Sequence, residues 1–101
     1  MDITAEELKQ RLSMGETLHL LDVREELEYH TFNMGGLNIP LGRLAASIDN
    51  LEWNKNDEII VLCKIGMRSK TGTLILQQNG YTDVKNLKGG LIAFQRTDKN
   101  I

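Results

Sequence analysis

A four-residue run, Ile59-Ile60-Val61-Leu62, constrains this chain more than any other stretch. It is unbroken, apolar and mostly β-branched, the composition of a strand buried on both faces as in a parallel sheet. The only cysteine, Cys63, follows it directly. Lys64, Ile65, Gly66 and Met67 separate Cys63 from Arg68, and a helical pattern then runs from about Arg68 to Gln78. A thiol at the carboxyl end of a buried strand, in a short loop feeding a helix, stands where open α/β sheets bind ligands.

The physics of such a loop favours a thiolate. Successive backbone N–H groups in a tight turn make an anion-binding concavity, and the helix N-terminus adds its positive dipole end. Lys64, Arg68 and Lys70 put three cationic side chains within eight residues. Surroundings of this kind lower a cysteine pKa from ~8.5 to roughly 3.5–7.5, and the thiolate is the nucleophile. The competing reading is an inert cysteine that ends a core strand as a small hydrophobe. The cationic, glycine-containing continuation favours the reactive thiol.

The global numbers set the class. With 101 residues, 41% hydrophobic and 26% charged, the chain reads as one small globular domain over 1–101. A net charge of −2 argues against general nucleic-acid binding and makes the basic character near Cys63 local. A lone cysteine permits no internal disulfide and suits a reducing compartment, with the cytoplasm as default. No stretch is long and apolar enough to span a bilayer, and Met1-Asp2-Ile3-Thr4-Ala5-Glu6 is no signal peptide. Two histidines without a cysteine pair or helical His/Glu spacing make no metal site, and no cofactor motif is present.

From the amino end, Thr4 reads as an N-cap with Glu7 completing a capping box. Leu8 and Leu12 share the face of the following helix, and Gly15 stops it. A strand spans Leu18 to Val23, with Asp22 and Arg24 at its carboxyl end, on the same sheet edge as Cys63. Glu25 to His30 forms a short helix, with His30 solvated and His19 exposed or at a strand edge. Gly35-Gly36 turns the chain into Leu37-Asn38-Ile39, which Pro40 ends. Leu41 to Ile48 is a helix with Leu41, Leu44, Ala45 and Ile48 on one face. Asp49 to Asp57 is a polar connection turning at Asn54-Lys55-Asn56-Asp57, with Trp53 a packing anchor. The helix after Cys63 has Leu74, Ile75 and Gln78 facing inward, Gly80 at its end, and Gly72 in close contact with the sheet at a helix-propensity cost of about 1 kcal/mol. Val84 to Leu87 is the last strand, and Lys88-Gly89-Gly90 turns into a helix from Leu91 to about Arg96. Thr97 to Ile101 is a polar, frayed tail. Strands and helices in alternation imply an open, mainly parallel sheet covered on both faces.

Cys63-Lys64-Ile65-Gly66-Met67-Arg68-Ser69 resembles the active-site loop of the rhodanese-like sulfurtransferases. Leu20-Leu21-Asp22-Val23-Arg24-Glu25, with Glu28-Tyr29 and Asn38-Ile39-Pro40-Leu41, resembles that family's first signature. Asn86-Leu87-Lys88-Gly89-Gly90-Leu91, with Phe94 where the family often has tryptophan, resembles the signature near its end. Three motifs in order cover nearly the whole chain. Phe32-Asn33-Met34 departs from the family's Gly-His-Ile-like triplet, which bears on packing at that corner. The resemblance implies a three-layer α/β/α fold with five strands, one of them at Asp2-Ile3, and Cys63 after the fourth.

The resemblance also implies a chemistry. Such sulfurtransferases place four residues between cysteine and arginine, whereas related phosphatases place five; four stand here, no histidine precedes Cys63, and no aspartate lies in the loop. Phosphatase or arsenate-reductase activity is therefore the weaker enzymatic alternative. Cys63 would take a sulfane sulfur from a small anionic donor such as thiosulfate, or from another persulfide. It would then yield it to cyanide, a thiol or a protein. A non-catalytic carrier or interaction module is the other alternative. The backbone from Lys64 to Ser69 would cradle the persulfide, with Lys64 an entrance charge and Ser69 capping the loop or bonding the sulfur. Arg68 would close the loop on Asp22 or Glu25, or steer anions. Asp22 and Arg24 would hold the loop from behind, and Ile65 and Met67 form an apolar rim suited to a thiol or protein partner. Partners would exclude nucleic acid and membrane, and the chain would be a monomer or weak dimer.

Overall fold

The apolar run lies in the middle of a five-stranded sheet. The protein is described here by a computed structural model covering residues 1–99. Its strands are β1 (Asp2–Ile3), β2 (His19–Asp22), β3 (Leu37–Asn38), β4 (Glu58–Leu62) and β5 (Asp83–Leu87). They pair in the order β1-β5-β4-β2-β3, parallel throughout. The helices are α1 (Ala5–Ser13), α2 (Glu26–Thr31), α3 (Leu41–Ser47), α4 (Met67–Gln78) and α5 (Gly90–Arg96), with short 3-10 turns at Ile48–Asn50 and Thr97–Lys99. The three-layer α/β/α architecture with the cysteine after the fourth strand is thus observed.

Strand alternation divides the core. Ile59, Val61 and Cys63 face one side, where they meet Leu21, Val23, Leu44 of α3 and Leu76 of α4. Ile60 and Leu62 face the other, against Ile3, Leu8 of α1, Leu87 and Leu91 of α5. Residues Ile59 to Leu62 are wholly buried, as a strand covered on both faces requires. α2 contributes no buried residue and lies over the carboxyl ends of the strands instead. From the β2–β4 boundary the chain continues outward in opposite directions, to β3 and to β5, so Asp22 and Cys63 sit at a topological switch point.

Local signals hold at several element ends. Thr4 Oγ1 accepts the Glu7 N–H at 3.1 Å, and Glu7 accepts the Thr4 N–H, completing the capping box. Trp53 packs against the core and stacks on His19 with centroids 4.9 Å apart. At the opposite end of the sheet from Cys63, Arg11 clamps Glu58 through two bonds of 2.9 and 2.6 Å, and Lys85 adds a third at 2.6 Å. The Arg11 bond is the main reason the Glu58 carboxyl falls to about 2, overcoming its burial.

Some helix faces differ from the sequence expectation. Leu74 is 54% exposed and Gln78 is also at the surface; α4 faces the sheet with Ser69, Gly72, Thr73 and Leu76 instead. The inward stripe is anchored at Ser69 by the Cys63 loop, and the 3.6-residue period carries it to Gly72 and Leu76 rather than to Leu74. Ala45 is likewise exposed while Leu44 and Ile48 enter the core. The region after α5 is ordered at its start, where Thr97 Oγ1 bonds the Phe94 carbonyl at 2.7 Å and Asp98 pairs with Lys9. The rest of the expected tail, Asn100 and Ile101, lies outside the described residues. No helix among those described is long and apolar enough to cross a membrane.

Gly72 explains itself by contact. A Cβ there would stand 3.2 Å from Val61 Cγ1 and 3.4 Å from Val23 Cγ1, so the missing side chain lets α4 lie directly on the sheet. Gly72→Val should therefore destabilise the fold by about 1–3 kcal/mol through overpacking. Leu74→Gln, on the solvent face, should stay within about 0.5 kcal/mol. Urea unfolding midpoints measure both, and equal losses would contradict this assignment of faces.

Candidate functional site

Cys63 follows β4 directly, and the chain then turns sharply so that its backbone curls around the sulfur. The Gly66 N–H donates to Sγ at 3.1 Å and the Ser69 N–H at 3.3 Å, while Ser69 Oγ lies 3.3 Å from it. Gly66 adopts φ +97°, the left-handed conformation that glycine takes without strain, and this aims its N–H back at the thiol. Cys63 is 1% exposed. Burial acts to raise the thiol pKa, but hydrogen bonds from the Ser69 hydroxyl and the Ser69, Gly66 and Ile65 amides outweigh it, and the pKa falls below its ordinary value.

The loop is also braced from below. Leu91 N–H donates to the Cys63 carbonyl at 2.9 Å and Ile92 N–H to the Lys64 carbonyl at 3.1 Å. That approach needs Gly90, whose Cβ would lie 2.4 Å from the Lys64 carbonyl oxygen and 2.6 Å from that of Cys63. Behind Ser69 stands Asn86 of β5, a buried amide that accepts from the Ser69 hydroxyl and donates to the Gly66 carbonyl at 3.4 Å. A hydroxyl has a single proton. In the thiol state Ser69 can give it to Asn86 and accept from S–H; in the thiolate state the proton must turn to sulfur.

Arg68 does not reach Asp22 or Glu25, as the sequence suggested. It forms a two-pronged pair with Glu28 of α2 at 2.6 and 3.0 Å. Asp22 is wholly buried and already taken by Arg24, whose Nε and Nη2 donate to it at 3.0 and 2.8 Å. Arg24 Nη2 also donates to the Phe32 carbonyl at 2.6 Å, so the Asp22–Arg24 pair ties the end of β2 to the end of α2. This places Glu28 opposite Arg68. The bond from Arg68 lowers the Glu28 carboxyl to about 2 despite partial burial. Of the positive charge expected around Cys63, Arg68 is paired with Glu28 while Lys64 and Lys70 are exposed, and the short-range stabilisation of the sulfur comes mainly from N–H and O–H dipoles.

At the Phe32-Asn33-Met34 corner, Asn33 Nδ2 bonds the Tyr29 carbonyl at 2.9 Å and Tyr29 Oη bonds that of Gly36 at 2.7 Å. Met34 packs on the core, so the departure from the family triplet leaves this corner closed. Sequence reading missed Glu28, Asn86 and Gly90 as parts of the site. Only Asn86 carried a local signal, a polar residue between Val84 and Leu87 at an inward strand position.

Residues 4–97 match the rhodanese-like domain family. The chain belongs to that family. It is 35% identical over 91 residues to the putative sulfur carrier protein YrkF of Bacillus subtilis, covering 89% of this chain and 48% of that one. The chain thus spans about half the length of YrkF. It is 31% identical over 96 residues to a sulfurtransferase of Allochromatium vinosum, covering 94% and 88% respectively. The rhodanese-like domain of the Anabaena sp Alr3790 protein superposes with a TM-score of 0.85 at 28% identity, over 95% of this chain and 74% of that one. A rhodanese-like domain protein from Staphylococcus aureus gives 0.82 at 29% identity, over 93% and 91%.

Two measurements probe this rhodanese-like site. Ser69→Ala removes a donor to the thiolate, so the pH inflection of Cys63 alkylation by iodoacetamide should move to higher pH; an unmoved inflection would sink the assignment. Glu28, with its carboxyl depressed, stabilises the fold fully above the ordinary carboxylate range and loses that contribution as pH falls through about 2. Glu28→Gln should thus lower the urea midpoint at pH 7, with the gap to the native chain closing as pH approaches 2.

Proposed function

We propose that this rhodanese-like chain is a sulfurtransferase working through a persulfide on Cys63. The observation that carries the reading is the Cys63 sulfur itself, held by converging N–H and O–H donors and with its pKa lowered. Such a site stabilises a thiolate before reaction and a terminal persulfide anion after it. The four-residue spacing to Arg68 supports sulfur transfer over phosphoryl chemistry.

In the first half-reaction the Cys63 thiolate attacks the outer sulfur of a donor such as thiosulfate. The donor's S–S bond breaks and sulfite leaves with its electron pair. The new Cys63–S–S⁻ group rests against the amides between Lys64 and Ser69. In the second half-reaction an acceptor nucleophile, cyanide or a thiol, attacks that outer sulfur and Cys63 departs as thiolate. Lys64 attracts anionic donors at the entrance, and Ser69 supplies a movable proton. Arg68, tied to Glu28, keeps the loop closed, with the Asp22–Arg24 pair supporting it from behind.

A sulfur-carrier role, in which the persulfide passes to a protein, is the second reading; it draws on the relative named as a putative sulfur carrier. Ile65 and Met67, 57% and 70% exposed beside the thiol, give a protein acceptor an apolar surface to dock on.

Incubation with thiosulfate should add about 32 Da to the native chain, reversibly by dithiothreitol, and nothing to Cys63→Ser, as intact mass will show. Failure with both thiosulfate and a persulfide donor would remove the sulfurtransferase reading. Replacing Ile65 and Met67 together by serine should slow transfer to a protein thiol while leaving transfer to cyanide within about twofold. Equal losses for the two acceptors would refute the docking role.

A further inference from the structure

Asn86 is 5% exposed and lies in β5 opposite Val61 of β4, on the sheet face where Val61 and Val84 pack into the core. Strand alternation puts Val84 and Asn86 on one face, so an apolar residue at position 86 would continue that layer. An amide stands there instead, and both bonds of its side chain go to the Cys63 loop. Its Oδ1 accepts from the Ser69 hydroxyl, and its Nδ2 donates to the Gly66 carbonyl at 3.4 Å. A buried amide is costly unless its hydrogen bonds are met, and these are the two that meet it. The loop, not the sheet, accounts for a polar group at this position.

Ser69 links Asn86 to the sulfur. Its hydroxyl bonds Asn86 Oδ1, and the same oxygen stands 3.3 Å from Cys63 Sγ. One proton cannot serve both acceptors. Sγ keeps the Ser69 and Gly66 N–H bonds in either case, at 3.3 and 3.1 Å, so the O–H donor is the one that Asn86 can draw away. Ionisation of Cys63 must therefore pull that proton off an amide oxygen and leave the oxygen buried without a partner. A site with an apolar residue at position 86 would not meet that cost.

We propose that Asn86 is a positioning residue that competes with Cys63 for the Ser69 proton, holding it while Sγ is neutral and yielding it when Sγ is charged. The donors that stabilise the thiolate thus work against an opposing acceptor. A strongly stabilised thiolate is abundant but a weaker nucleophile, because nucleophilicity falls with pKa. The amide keeps the sulfur ionisable without blunting it. For sulfur transfer, which rests on the reading that Cys63 carries a persulfide, Sγ is neutral once the persulfide has formed. The Ser69 O–H then points to Asn86, and it swings back to Sγ as Cys63 departs as thiolate.

The charged groups near the sulfur stay outside this exchange. Arg68 of α4 is paired with Glu28 of α2, and Asp22 with Arg24 at the end of β2. Lys64 and Lys70 are exposed. Asp83 and Lys85 of β5 lie with Glu58 at the opposite end of the sheet. α3 packs here through Leu44, and α5 meets the loop through the backbone N–H groups of Leu91 and Ile92. Among the described residues none of these charges bonds the Ser69 or Asn86 side chain.

Profiles of iodoacetamide alkylation against pH, taken on the full chain, test the competition. Asn86→Leu leaves the Ser69 hydroxyl no acceptor but sulfur, so the inflection should move to lower pH. The limiting rate of the fully ionised thiol should fall with it, about threefold for each unit of the shift. In a Ser69→Ala background the same substitution should move the inflection by less than about a quarter as much, since no proton is left to compete for. Asn86→Asp keeps the shape of the side chain and remains informative if the leucine variant fails to fold, which circular dichroism reports. It should move the inflection to higher pH, and by less in the Ser69→Ala background, where charge repulsion alone remains. An inflection that rises or stays in Asn86→Leu, or shifts that are equal with and without the Ser69 hydroxyl, would make Asn86 a prop of the loop and overturn the proposal. Alkylation needs no sulfur donor, so that outcome leaves the persulfide reading standing. Conversely, no mass gain from thiosulfate or a persulfide donor would overturn the swing of the proton during sulfur transfer, with the competition at the thiol still upheld by the alkylation profiles.

Discussion

Everything at the site depends on the position of β4 between β2 and β5. A central parallel strand must be covered on both faces, so its four apolar residues are all consumed by the core, and a one-residue slip would turn each of them into the opposite layer and break its packing there. The next residue, Cys63, therefore leaves the sheet at a defined height and on a defined face. Gly90 extends that control beyond the strand by letting the first turn of α5 approach the carbonyls of Cys63 and Lys64. The loop is thus clamped at both of its backbone edges before any side chain acts.

The thiol's electrostatics illustrate how a buried cysteine is kept ionisable. Burial alone would make Cys63 a poor thiolate, because desolvation disfavours the charged form. Fixed dipoles oppose this at short range, and they do so without importing an unpaired charge into the core. The nearby full charges are arranged as pairs, Arg68 with Glu28 and Arg24 with Asp22, so each neutralises its partner. Buried or half-buried arginine pairs of this geometry hold elements together more than they attract ligands. Lys64 and Lys70 have no ion pair among the described residues, and the exposure of Lys64 next to Cys63 makes it the natural contact for an anion.

Membership of the rhodanese-like family accounts for the sheet order, the loop and the spacing from Cys63 to Arg68. The individual character of this chain lies around the mouth of the site. Ile65 and Met67, in the loop after Cys63, are large, apolar and exposed, while the immediate cradle of the thiol is polar. A polar cradle thus stands inside an apolar rim.

Most of the fold was legible in the amino-acid order because its signals are local. The β-branched run before Cys63, the Thr4–Glu7 capping box and the strand–helix alternation each act within a few residues, and each appears as expected. The cysteine and its loop were legible for the same reason, since N–H groups close in sequence converge on one sulfur. The choice of partner for Arg68 was not, because Glu28, Asp22 and Glu25 are equally plausible until α2 is placed over the strand ends and Arg24 claims Asp22. The inward face of α4 was misjudged for a related cause. Leu74 and Gln78 fit a helical period, but the phase of that period is set by where the Cys63 loop delivers Ser69. Asn86 and Gly90 join the site only through parallel pairing of β5 and the docking of α5, contacts about twenty or more residues away in sequence. Sequence by itself determined the kinds of element and the placing of the lone cysteine at the end of a buried strand, which rest on short-range propensities and burial. Tertiary structure alone decided which charges cancel, which face packs and what surrounds the thiol, because those depend on the closest approach of distant segments.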